Sequence, residues 1–161
     1  MRVLALLATL TLLAFSDTAT AQERWLEFSS SRHGFAALFP KTPTESLGGT
    51  TGTFIASAGG AVYVVSITEL STELKTGDEL FSALVEAYSI AGQITVRTQR
   101  RVIFANNAGV KLIGDHKDKD IHHSAYIFPV GKRLYQVISA GPKGHETSAD
   151  ASRFSDSFRL Q

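Results

Sequence analysis

Apolar positions recur along this chain in two rhythms, and the switches between them lay out its elements. Residues 25–29 and 35–39 are short apolar-aromatic runs that read as two opening strands, joined by the turn-like Ser30-Ser31-Arg32-His33-Gly34. Pro40 and Pro43 close the second run, since neither can donate a ladder hydrogen bond. Residues 50–57 and 61–68 flank Ala58-Gly59-Gly60, whose glycines supply the positive φ angles of a tight hairpin. The segment Val62-Tyr63-Val64-Val65-Ser66-Ile67 is apolar at both alternating sets of positions, so it needs cover above and below.

The period then lengthens. Thr76-Gly77-Asp78-Glu79 has the form of a capping box, and Phe81, Leu84, Val85 and Tyr88 follow at helical spacing as one apolar stripe. Gly92 is placed to end that helix in a left-handed cap. Alternation returns over residues 94–104, 110–116, 121–130 and 133–139, with turns at Asn106-Asn107-Ala108-Gly109, Lys117-Asp118-Lys119-Asp120 and Gly131-Lys132. Leu134-Tyr135-Gln136-Val137-Ile138 is again largely apolar on both faces. Thr147, with Asp150 three residues on, predicts a last helix marked by Ala151, Phe154 and Phe158. The order strands, helix, strands, helix implies an α+β fold: an antiparallel sheet covered by helices on both faces, an α/β/α sandwich.

The start of the chain follows neither rhythm. Met1-Arg2, the apolar run from Val3 to Leu13 and the small-residue triplet Ala19-Thr20-Ala21 read as a signal peptide cleaved after Ala21. The apolar run is well short of the ~20 residues that span a bilayer, so no membrane span is expected after cleavage. Residues 22–161 then form one domain of 140 residues, periplasmic or secreted. The chain has no cysteine, which excludes a disulfide framework, a cysteine nucleophile and a lipidated anchor. Loss of Arg2 with Asp17 leaves the net charge at +1, too even for a nucleic-acid partner. Arg97, Arg100 and Arg101 are the densest basic group. Regular strand alternation would put Arg97 and Arg101 on one face and Arg100 on the other.

The stretch 115–123 holds most of the candidate chemistry. His116 and one of His122 or His123 could meet across a hairpin with Asp118 nearby, the donor types that Zn²⁺, Cu²⁺ or Ni²⁺ would take from a cysteine-free protein. The commoner outcome for such a run is a polar turn whose aspartates bond their own backbone. A hydrolase using His33, His116 or His123 as base is a further alternative, but no residue pattern marks a nucleophile beside its base. Gly109-Val110-Lys111-Leu112-Ile113-Gly114 has a phosphate loop's glycine spacing, yet Asp115-His116 follows where Lys and Ser or Thr are needed. Most aromatics recur at core spacing. Phe35, Phe39, Tyr126 and Phe128 are the set that could line a cleft between a helix and the sheet.

The entry Gly34-Phe35-Ala36-Ala37-Leu38-Phe39-Pro40-Lys41-Thr42-Pro43 resembles the "GF-x-x-x-FP-x-x-P" opening of a large group of exported bacterial proteins. The close, Gly131-Lys132-Arg133-Leu134-Tyr135-Gln136, Gly141-Pro142 and Phe154-Ser155-Asp156-Ser157-Phe158-Arg159-Leu160, is similar to theirs. The group resembles the PsbP, Mog and DcrB superfamily of α/β/α sandwiches, and the likeness spans nearly the whole mature chain. Members of that superfamily include extrinsic photosystem II subunits, a Ran-binding import factor and an envelope lipoprotein. The resemblance implies a fold and a non-catalytic accessory role without a cofactor, and assigns no functional residue. The expected function is binding an unknown protein or small ligand in the cell envelope through loops and a sheet edge.

Overall fold

A computed structural model describes residues 24–161, and the expected leader, residues 1–21, lies outside them. The described residues begin with the hairpin β1 (Leu26–Ser30) and β2 (Phe35–Phe39), then run through β3 (Thr44–Gly48), β4 (Thr51–Ala58) and β5 (Ala61–Glu69). Helix α1 (Asp78–Gly92) leads into the meander β6 (Ile94–Phe104), β7 (Asn107–His116), β8 (His122–Val130) and β9 (Arg133–Gly141). A 3-10 turn, His145–Thr147, precedes α2 (Ala149–Ser157) and the short β10 (Arg159–Leu160).

Two antiparallel sheets result. The larger has the order β3-β4-β5-β9-β8-β7-β6, and the smaller is β1-β2-β10. The β5–β9 ladder, with Val65 opposite Val137, welds the first meander to the second. Gly59 and Gly60 both take positive φ and close the β4–β5 hairpin as expected. β3 was not expected, since Pro43 and the exposed run Thr44–Gly48 offer no apolar alternation to read.

The core divides by strand parity. Phe35, Phe39, Phe54, Tyr63, Phe128, Tyr135 and Phe154 belong to one cluster, while Phe81, Val85, Leu112 and Ile127 form another with Leu84, Tyr88, Leu134 and Ile138 packed on it. Ile127 and Phe128 are neighbours on β8, as Leu134 and Tyr135 are on β9, so the two clusters lie on opposite faces of the large sheet. Much of one layer is the three-stranded sheet rather than helix, because Phe35 and Phe39 of β2 pack there beside Phe154 of α2. β5 is fully buried at Tyr63, Val65 and Ile67 and half-buried at Val62 and Val64.

Several local expectations are corrected. α1 is capped by Gly77 in extended backbone without a side-chain bond, so the Thr76 capping box does not form. The left-handed residue after the helix is Gln93 (φ 52°) rather than Gly92. In α2 the cap is Ser148, whose hydroxyl accepts from the Ala151 N–H at 3.1 Å, one residue beyond Thr147. Phe158 follows that helix in extended backbone (φ −66°, ψ 132°). The β6–β7 turn is Ala105-Asn106, both at positive φ, which places Gly109 inside β7.

Candidate functional site

A polar network sits where β6, β7 and β8 meet the 3-10 turn. It starts from a bulge: Val96 pairs with Gly114 and Thr98 with Ile113, leaving Arg97 as an extra residue in β6. A bulge re-aims the side chain it inserts. Arg97 thereby brings Nε to 2.9 Å from Asp115 Oδ1 and Nη2 to 2.5 Å from Glu146 Oε1. His122, in register with Asp115, places Nδ1 at 2.7 Å from Asp115 Oδ1 and Nε2 at 3.1 Å from Asp120 Oδ1. Glu146 Oε2 accepts from the Gly144 N–H at 3.0 Å.

One guanidinium and one imidazole thus hold three carboxylates, tying the edge of the sheet to the turn that enters α2. Both ring nitrogens of His122 lie within ion-pair distance of carboxylate oxygens, though the Nδ1–Asp115 approach lacks hydrogen-bond geometry. Its pKa is raised, chiefly by the bond to Asp120 and further by Asp115. Burial pushes the Glu146 carboxyl up, but Arg97, together with a backbone hydrogen bond and the His122 charge, more than offsets this and holds it below the usual range.

The opposite face carries a second pair. Tyr88 Oη lies 3.2 Å from His123 Nδ1, and His123 Nε2 is shielded from solvent without a hydrogen-bond partner. Burial lowers the His123 pKa, and the neighbouring His116 lowers it further. Burial likewise lowers that of His145. The residues expected as a ligand set are therefore divided. His122 is on the Asp115 face, His123 is against α1, and His116 Nδ1 accepts from the Asp118 N–H at 3.1 Å within the turn. Among the described residues, no three or more of His, Asp and Glu are grouped so as to hold a metal ion. His33, a possible base on sequence grounds, is buried with Nδ1 at 3.0 Å from Ser30 Oγ and its ring edge-on to Phe54.

These histidines give opposite pH dependences. A raised His122 pKa contributes stability that is complete below 6.5, its ordinary value, and is lost as pH rises through the higher folded value. Lowered His123 and His145 values contribute stability that is complete above 6.5 and is lost as pH falls through their folded values. We expect the urea midpoint to peak near neutrality and fall on both sides. His122→Asn should flatten the alkaline limb and change the acid limb less, since the His122 charge is a minor contributor to the lowered His123 and Glu146 values, and an unchanged alkaline limb would show that His122 is not charged in the fold.

The cleft expected from Phe35, Phe39, Tyr126 and Phe128 is not lined by them. Phe35, Phe39 and Phe128 are 0 % exposed and spend their whole surface on packing, and Tyr126 alone stays half-exposed on the sheet. A groove of about 380 Å³ does lie between α1 and the sheet, bounded by Leu84, Tyr88, Ile127, Leu134 and Gln136. The arginine grouping also changes, because the bulge shifts alternation by one. Arg101 turns toward α1, with its guanidinium 4.0 Å over the Phe81 ring and 2.6 Å from Asp78 Oδ1. Arg97 and Arg100 share the other face.

The two edges of the large sheet differ. β6 carries the bulge and its arginines, features that discourage a further strand from pairing. β3 carries neither: its five residues are exposed, it has one charge, Glu45, and Leu47 is 53 % exposed. Arg97, Asp115 and Glu146 were not legible as a set, because only a bulge and a distant turn bring them together.

Among the described residues no helix is long and apolar enough to cross a membrane. No family model and no curated protein matches the sequence. The structure is similar to a solved structure from Bacteroides thetaiotaomicron with a TM-score of 0.44 and 12 % identity, over 84 % of this chain and 48 % of that one. It is similar to the solution structure of cyanobacterial PsbP (CyanoP) from Synechocystis sp. PCC 6803 with a TM-score of 0.63 and 12 % identity, over 89 % of this chain and 96 % of that one. With nearly the full length of both of these last two chains matched, the molecule has a PsbP-like fold.

Proposed function

We propose that this is an exported, non-catalytic accessory protein of the bacterial envelope, folded as one α/β/α sandwich with α1 and α2 on opposite faces, that works by binding a protein partner at its free sheet edge. The observation that carries the reading is β3. An exposed strand with no bulge and a single charge leaves a row of main-chain groups open to an added strand. Five residues span only about 17 Å, which suits a short extended segment better than a permanent large interface. The Asp115–His122 network supports the non-catalytic side, since both nitrogens of its imidazole lie against carboxylates.

In an antiparallel ladder closed by a two-residue turn, Glu45 and Leu47 direct their N–H groups away from β4. A photo-crosslinking residue at position 46 should capture a discrete envelope protein that the same residue at position 98, on the opposite edge, does not. Leu47→Pro, which removes one outward donor, should abolish the capture while leaving the melting curve in place. Equal capture from both edges, or capture indifferent to Leu47→Pro, would sink the edge reading. A small molecule retained in native mass spectrometry with no crosslinked protein would mark a carrier instead.

A further inference from the structure

Arg100 of β6 and Lys111 of β7 are directly opposite in register, on the face of the sheet turned away from α1. Like charges so placed repel and destabilise a strand pair. Neither has an ion-pair partner among the described residues, whereas Arg97, Arg101, Arg133, Arg153 and Arg159 all do. Lys111 Nζ instead sits 4.9 Å over the Tyr126 ring, and Tyr126 is stacked on Phe104 with ring centroids 4.2 Å apart. Lys111, Ile113, Tyr126 and Phe104 are all half-exposed, while Thr98 and Arg100 are exposed. The result is a flat patch of two cations without carboxylate partners beside an aromatic stack, where the Lys111–Tyr126 contact is the one favourable interaction that either charge makes.

The surroundings narrow what would fit. A small-molecule site is normally concave and mostly apolar, and this is the plane of a sheet. Nucleic acid and anionic membranes demand an extended basic surface, about four to eight clustered cations for a lipid headgroup layer, and here there are two in a chain of net charge +1. A short carboxylate-bearing protein segment needs only two cations for its charge and a flat aromatic for its apolar part. We propose that the β6–β7–β8 face, centred on Arg100, Lys111 and Tyr126, docks an acidic segment of a partner protein. This surface is separate from the β3 edge and does not depend on what that edge binds.

The test uses the mature protein, uniformly labelled with ¹⁵N, and a Tyr-containing hexaglutamate peptide as probe, with a hexalysine peptide as sign control. Amide shifts should move in β6, β7 and β8 with the acidic peptide only, and the effect should weaken as salt rises from 50 to 200 mM. Arg100→Gln with Lys111→Gln should weaken binding by about tenfold or more. Lys132→Gln with Lys143→Gln, exposed lysines elsewhere, should not change it. The charge-keeping pair Arg100→Lys with Lys111→Arg should retain it, which separates lost charge from lost folding. Shifts located elsewhere, equal weakening by the Lys132/Lys143 pair, loss in the charge-keeping pair, or binding to phosphatidylglycerol vesicles without binding to the peptide would each overturn the proposal.

Discussion

Replacing Phe158 by alanine should destabilise the fold by about 3 kcal/mol, the usual scale for emptying a buried phenylalanine site. The ring is only 6 % exposed and joins the two sheets. It stacks on Phe35 of β2 at 5.9 Å, with 9° between the planes, and meets Phe104, Phe128 and Tyr135 of the large sheet at 5.7, 5.8 and 6.1 Å. Aromatic contacts of this kind add to simple area burial, roughly 0.5–1.5 kcal/mol for a good pair. Backbone geometry explains why the site cannot close over the loss. Phe158 is followed at once by Arg159 and Leu160 paired to Ala36 and Phe35, so the chain is pinned on both sides of the cavity. The urea midpoint should drop with the slope unchanged, whereas Leu26→Ala, at a 44 % exposed position, should move it by no more than about 0.5 kcal/mol in equivalent stability. An unmoved midpoint for Phe158→Ala would mean that the two sheets are not joined through this ring.

Phe158 also illustrates how the fold was legible. Its burial was readable from the spacing with Ala151 and Phe154, but its conformation was not, because the helix ends at Ser157 and the same apolar residue packs equally well from extended backbone. Elements with a strong rhythm were located within a residue or two: β2, β4, β5, β6 and β9 all lie close to the expected runs. Termini were less legible. By side-chain type Thr76 and Thr147 are good caps, yet the cap is decided by which residue leaves helical backbone, here Gly77 and Ser148. β3 carries no apolar alternation at all, and only its pairing with β4 defines it. The motifs behind the resemblance turn out to be structural. Gly34 takes φ 68°, Phe35 and Phe39 are fully buried, and Tyr135 Oη donates to the His33 carbonyl at 2.8 Å, which locks the first turn to the large sheet. Residues that hold a fold together can carry a likeness to distant structures without carrying a site.

The candidate site was legible only in part, for a reason of register. Strand parity correctly separates His122 from His123, but parity fails wherever a bulge intervenes. A single unpaired residue in β6 leaves Arg97 on the Asp115 face but carries Arg101 onto the α1 face. Glu146 reaches the network from a turn 49 residues further on, and no local pattern encodes that approach. The Arg100–Lys111 juxtaposition has the same origin, since the bulge fixes which basic residue of β6 stands opposite Lys111. One backbone irregularity thus sets both the closed network and the open cationic patch.

The second large effect is expected at Gly109, and its sign separates two accounts of that glycine. As a turn residue, which the run Asn106-Asn107-Ala108-Gly109 suggests, it would accept asparagine readily, because asparagine tolerates left-handed backbone. As a strand residue with free space beside it, it would gain from valine, since β-branched side chains suit strands. The structure supports neither. Gly109 lies inside β7 and is buried, and a Cβ built on it would fall 2.7 Å from the Ile127 carbonyl oxygen and 2.7 Å from Phe128 Cβ. Those neighbours are backbone and a fully buried ring of β8, so neither can move aside without disturbing the β7–β8 ladder and the stack from Phe128 to Tyr135. Gly109→Val should therefore destabilise by about 3 kcal/mol, at the upper end of ordinary overpacking, and Gly109→Asn should do comparable damage. Gly60 provides the contrast. It sits at φ 78° with nothing within 4 Å of its hypothetical Cβ, so Gly60→Asn should cost well under about 1 kcal/mol. Urea denaturation of the variants decides the matter: a Gly109→Val midpoint at or above that of the parent would mean that β7 and β8 do not pack as closely as the fold requires.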